Sequence, residues 1–142
     1  MALAANVELL EQEGKLLSLP VVASDIVYKG ALVKINAAGY AAPAAPEAGS
    51  NFAGVAYEKV DNSTGAAGDK EVRVVVERCF ALAGSVFSQA DVGSKVYATD
   101  DGVITTTEGT TSKQIVGTIV KFMSATEVLV KLQAFSGVGA SA

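Results

Sequence analysis

The sequence predicts an all-β protein, a compact β-barrel or β-sandwich, and three observations predict it. Apolar and polar side chains alternate with a period of two after residue 15. The alternating runs are short and punctuated by Gly, Asp and Asn, most plainly at Asp100-Asp101-Gly102. The composition is 50% hydrophobic but only 6% aromatic, with no Trp. Small and β-branched side chains suit a pleated, close-packed sheet better than the aromatic wall of a ligand pocket. At 142 residues the chain is sized for one domain whose core needs no disulfide or metal staple.

Lys15 to Leu19 is the first strand, and Pro20 sets it at an edge or a bulge. Gly30 to Asn36 is the next, closed by a turn at Ala38-Gly39. Phe52 to Val60 and Glu71 to Phe80 follow, the latter with Val72, Val74 and Val76 facing one way and Arg73, Val75 and Glu77 the other. Arg73 and Arg78, the only arginines, then share one solvated strand. Lys95–Thr99, Val103–Thr106, Gln114–Phe122 and Glu127–Phe135 complete the set. The stretches 41–50 (AAPAAPEAGS) and 105–112 (TTTEGTTS) have the composition of solvated connections.

The chain also resembles itself. Residues 30–40 lie over 93–103 and residues 52–56 over 115–119, both at an offset of 63 without a gap. Removing seven residues from the 60–70 loop brings 71–79 over 127–135, and seven of these 25 positions are identical. Either Gly- and Val-rich strands coincide, or two duplicated halves pack into one β unit. In this alignment Gly39 matches Gly102 and Gly54 matches Gly117, four structural glycines. Gly54 and Gly117 fall inside apolar runs, where Gly marks a bulge, a corner or a close backbone approach.

Residues 1–14 differ in pattern. They hold Glu8, Glu11 and Glu13 and no Lys or Arg, a charge of −3 out of the total −4. Leu3, Val7 and Leu10 share one face if the segment is helical, with Gly14 as the stop. The reading is an N-terminal arm at 1–14 that binds a partner through Leu3, Val7, Glu8, Leu10, Glu11 and Glu13. The alternative is an edge strand or a helix capping the open end of a barrel. The body is 15–135, and 136–142 (SGVGASA) is a flexible tail.

Composition bounds the chemistry. The sequence has no His, which removes the usual activation of a Ser or Cys nucleophile and the commonest metal ligand. Cys79 is the single cysteine and reads as a small buried hydrophobe. Asp100-Asp101 is too poor in oxygen ligands for calcium, and the glycines form no phosphate loop. No catalytic, cofactor or metal residue is assigned. Lys and Arg are not clustered, so nucleic acid is not an expected partner. No apolar run is long enough to span a membrane, and the leading segment lacks the basic start of an export signal, so Asn62-Ser63-Thr64 reads as a polar turn.

Gly54-Val55-Ala56, Val72-Arg73-Val74, Phe80-Ala81-Leu82, Gly93-Ser94-Lys95-Val96-Tyr97, Ile115-Val116-Gly117 and Val128-Leu129-Val130-Lys131-Leu132 carry a resemblance. Over about residues 15–135 the chain is similar to the small capsid decoration (cement) proteins of tailed phages. The resemblance implies a β-rich body made in the host cytoplasm that forms a homotrimer on the outer capsid surface of the virion. It further implies binding to the major capsid protein, with no catalysis and no cofactor. Two departures are Cys79, where a glycine is expected, and the length of the leading segment. Two other readings stay open: a tail or fibre-base module, and a β-barrel accessory domain of an enzyme. If 1–14 is an arm, a chain beginning at Lys15 melts within a few degrees of the full chain; aggregation or a much lower melting temperature makes the segment part of the fold.

Overall fold

The computed structural model describes residue 5, residues 15–109 and residues 112–135. The predicted arm residues Leu3, Val7, Glu8, Leu10, Glu11 and Glu13, and the predicted tail, lie outside the described residues.

The described chain is all-β, with one three-residue 3-10 turn at Gln89–Asp91. The strands are β1 (Leu16–Pro20), β2 (Asp25–Val27), β3 (Leu32–Ile35), β4 (Ala41–Pro43), β5 (Asn51–Ala56), β6 (Val60–Asn62) and β7 (Glu71–Val75). They continue as β8 (Cys79–Ala83), β9 (Lys95–Ala98), β10 (Ile104–Thr105), β11 (Ile115–Ser124) and β12 (Glu127–Leu132). One five-stranded antiparallel sheet has the order β1-β7-β5-β3-β4, a second has β8-β12-β11-β9-β10, and β2 pairs with β6.

The two large sheets are the same structure twice. Leu16↔Val75 and Leu19↔Val72 in the first recur as Cys79↔Lys131 and Leu82↔Val128 in the second. Leu32↔Val55 and Val33↔Gly54 recur as Lys95↔Thr118 and Val96↔Gly117. Backbone hydrogen bonds repeat as well: Gly30 N to Ala56 O (2.9 Å) matches Gly93 N to Ile119 O (2.8 Å). The offset is 63 up to β5 and β11, and 56 for β7 and β12, as the alignment expects. The matched pair β1 and β8 extends the repeat to the strand preceding each aligned half.

In each half the last strand swings back to the first. Val21 bridges Ala41 in parallel, and Gly84 bridges Ile104. These are single bridges and not ladders, so each sheet rolls up without closing, and the fold is sandwich-like and not a barrel. The interior of the first roll includes Val33, Ala53, Ala56, Val72 and Val74. The matching interior of the second is Val96, Val116, Ile119, Val128 and Val130. Across the closing bridge the sizes trade places, Val21 with Ala41 in one half and Gly84 with Ile104 in the other. A fixed interior volume can be filled from either side.

The halves differ where the first carries its seven extra residues. They fall in the connection from β5 to β7, which therefore leaves the sheet, forms β6 and pairs with β2. The second half lacks them; β11 turns straight into β12, and the counterpart of β2 becomes the 3-10 turn. Asn62 in this extra piece is buried and donates from Nδ2 to the carbonyls of Val22 and Ala66, each at 3.0 Å. It is a structural strut as well as a turn residue.

Several expectations are corrected. Phe52–Val60 is two strands, because the chain departs after Ala56. Glu71–Phe80 is also two: residues 76–78 carry the chain from one sheet to the other, so Arg78 lies in the crossing and not on the strand of Arg73. Residues 41–43 are a strand, and the rest of 41–50 is pinned to the second half. Gln114 there donates from Nε2 to Ala45 O and to Ser50 Oγ, both at 2.7 Å, and Glu47 N reaches Ser112 O at 2.9 Å. Cys79 is exposed, because it begins the edge strand β8 on the outward phase of its alternation.

Gly39 and Gly102 both sit in turns as expected, but only Gly39 needs a positive φ, 93°. Gly54 and Gly117 each sit at a bulge in their strand. A Cβ on Gly54 would overlap the Val75 carbonyl oxygen, and one on Gly117 would overlap that of Lys131. The same oxygen is met at the same place in each half. Gly54→Ala and Gly117→Ala are therefore expected to cost about 3 kcal/mol or more each, since backbone must move to admit the methyl group. Gly102→Ala, with only Asp100 Oδ1 nearby at 3.8 Å, should fall within about 0.5 kcal/mol of wild type. Urea unfolding of the three variants checks the contrast.

Candidate interaction surface

The crossing at 76–78 leaves a groove between the rolls. Its floor is apolar: Val55, Tyr57 and Val75 from the outer face of the first sheet, and Phe80 and Leu82 from β8. It holds a volume of about 500 Å³. A smaller hollow on Leu16, Tyr57, Val75 and Arg78 shares the last three with the groove, and a third, on Arg78, Cys79, Lys131 and Leu132, shares Lys15, Glu77 and Arg78 with the second. Lys15 lines both smaller hollows. The cations lining the groove and the two hollows are thus Lys15, Lys29, Arg78 and Lys131, against the single carboxylate of Glu77. None of the four forms an ion pair within 4 Å among the described residues.

Beside the groove, two tyrosines stand half out of the surface, Tyr28 at 54% exposure and Tyr57 at 51%. Each ring lies under a cation: Lys59 Nζ is 5.3 Å from the Tyr28 centroid and the Arg73 guanidinium 5.0 Å from that of Tyr57. Glu58 orients Arg73 through a forked contact, Nη2 to Oε1 at 2.8 Å and Nε to Oε2 at 3.0 Å. Hydrogen bonding from Arg73 holds the Glu58 carboxyl below the usual range and raises the guanidinium in turn. On the other roll, burial, aided by a hydrogen bond to Glu108 at 3.2 Å, pushes the Tyr97 hydroxyl up.

A second apolar area lies at the turn between β11 and β12. Gly84 N and Phe87 N donate to Thr126 O and Ala125 O, which sets the 84–87 turn beside that hairpin. At its tip Val86 is 87% exposed and holds φ at 62°, a conformation costly for a β-branched residue. Met123 and Val120 on β11 are also exposed, and the Gly93–Ile119 hydrogen bond brings the segment of exposed Val92 alongside that of Val120.

Sequence reasoning missed Tyr28, Tyr57 and the Arg73–Glu58 pair. One signal was present: with four Tyr and no Trp in the chain, Tyr28-Lys29 and Tyr57-Glu58-Lys59 both set an aromatic ring beside a charge. Of the predicted site residues, Gly39, Gly54, Gly102 and Gly117 are described and structural. Among the described residues no group of three or more His, Cys, Asp or Glu is placed to hold a metal ion, and no helix is long and apolar enough to cross a membrane.

The chain matches no protein-family model, no curated protein and no solved structure.

Because the Glu58 carboxyl titrates below its unfolded value, its pairing stabilises the fold above the unfolded pKa and is lost as pH falls through the lower folded value. The pair is at the surface, so the effect is small. Glu58→Gln should flatten the acid limb of urea midpoints measured between pH 6 and pH 3, and an unchanged limb would refute the assignment.

Proposed function

We propose that this chain is a structural virion protein, a capsid decoration or cement protein that binds the outside of a major capsid shell as a homotrimer and stabilises it. The observation that carries the reading is the exposure of the aliphatic side chains Val86, Val120 and Met123 on the second roll, with Val86 held out on a strained turn. Strain and exposed apolar surface are both costly to an isolated body, and a packing partner offsets them. The rigid, small-residue body behind this group supports it, because such surfaces lose little side-chain entropy on ordering. So does the resemblance, whose runs fall on strands of both sheets. In this reading Leu3, Val7 and Leu10 meet the shell, with Glu8, Glu11 and Glu13 at the rim of that contact.

The mean hydropathy of +0.37 favours association, and light scattering at micromolar concentration should return about three times 14.4 kDa. Quantitative mass spectrometry of purified particles tests the function. Hundreds of copies per particle support a shell role, a handful indicates a tail or fibre-base module, and none overturns both.

A further inference from the structure

The groove between the rolls has an apolar floor and a cationic rim, and the chain supplies a segment of opposite character. We propose that the groove is the docking site for residues 1–14 of the same chain. Three observations converge on this occupant. The groove's apolar floor includes Tyr57, half exposed, and extends to Leu16, also exposed. The groove is lined by Lys29 and Arg78, and the hollows beside it add Lys15 and Lys131 with the one carboxylate of Glu77, whereas residues 1–14 carry three glutamates and no cation. Lys15, the residue at which the segment joins the body, lines both smaller hollows, which share Arg78 with the groove.

Leu3, Val7 and Leu10 would supply apolar partners for the floor, and Glu8, Glu11 and Glu13 counter-charges for the lysines and arginine around it. Fourteen residues reach up to about 46–50 Å when extended, ample for a groove built from neighbouring strands and one crossing. The tether also favours the chain's own segment over that of a second copy. A short flexible linker gives an effective concentration on the order of millimolar, well above a micromolar solution of partners. Docking uses the apolar residues also proposed for the shell contact, so the two contacts compete. The inference itself involves this chain alone and stands or falls separately from the decoration role.

Cys79, the only native cysteine, is exposed and lines the hollow that shares Arg78 with the groove, so it reports on an occupant there. The experiment introduces Val7→Cys or Leu10→Cys into the full chain and follows disulfide formation with Cys79 in a glutathione redox buffer at micromolar protein. Each variant should close a disulfide within one chain. Closure should slow about tenfold when Lys29→Glu and Arg78→Glu are added, or in 1 M salt, because the segment is held partly by charge. Glu8→Lys with Glu11→Lys should slow it equally, and because these precede β1 in the sequence, a urea midpoint equal to that of the parent variant separates the effect from an altered fold. Rates indifferent to all three changes would mean simple tethered collision and overturn the proposal. Disulfides formed mainly between chains would overturn it in favour of a second copy.

Discussion

A β-strand alternates its faces strictly, so a sheet rolled around a small core must break that alternation where the wall bends. Here the break is a bulge at a glycine that lies against a neighbouring carbonyl. In β5 the residues before and after Gly54 show the effect: Ala53 and Ala56 both point into the first core, three positions apart, while Phe52 and Val55 both point out. In β11 Val116 and Ile119 repeat the inward pair around Gly117. Only a residue without Cβ lets the strand come that close to Val75 or Lys131. The roll, the single closing bridge and the choice of core residues all follow from that bend.

Because the bend is repeated, the outer faces of the two rolls can be compared position by position, and they have diverged. Leu32, Ala44, Phe52 and Val55 of the first roll belong to the core cluster of the second. Their counterparts are Lys95, Thr107, Ile115 and Thr118, and Lys95 and Thr107 are exposed. A repeated unit with an apolar outer face would recruit another copy in open-ended fashion. Replacing that face by Lys and Thr ends the series at two, as a polar cap ends a solenoid. Exposed aliphatic residues remain elsewhere on the second roll, among them Val86 on the loop beside the β11–β12 turn and Val120 and Met123 on β11. Any partner that packs there does so by a contact the rolls do not make with each other.

What the sequence disclosed follows the same physics. Alternation, glycine spacing and turn chemistry are local, and they revealed the all-β class, the Asp100–Gly102 turn and the repeat with its seven-residue gap. The strand ends were legible only to the extent that local signals mark them. Nothing local distinguishes Val75 from Val76, yet the chain leaves one sheet after the first and enters another at Cys79. The strand at 41–43 was hidden because Ala and Pro are poor strand formers, and tertiary pairing with Val33, Lys34 and Ile35 overrides that preference. Cys79 was misread for a related reason: its burial depends on β8 being an edge, a property of the whole sheet. The tyrosine and arginine group joins residues 15 apart through a side-chain fork, which no short-range pattern reports.

The site of action follows from the size of the interior residues. The buried residues of the first cluster are all Val and Ala, with Leu19 and Ile35 packed against them, and the second roll supplies Val, Ile, Ala98, Leu132 and Phe87 to its own. Rolls this narrow, closed over such short side chains, leave no room for a ligand; among the described residues the larger hollows lie outside them. A small-molecule site would need a wider roll with fewer inward methyl groups. Among the described residues, the surfaces outside the rolls include the groove that the crossing creates and the exposed aliphatic side chains of the second roll. The first is walled by both halves and so exists only because the duplication was kept in one chain.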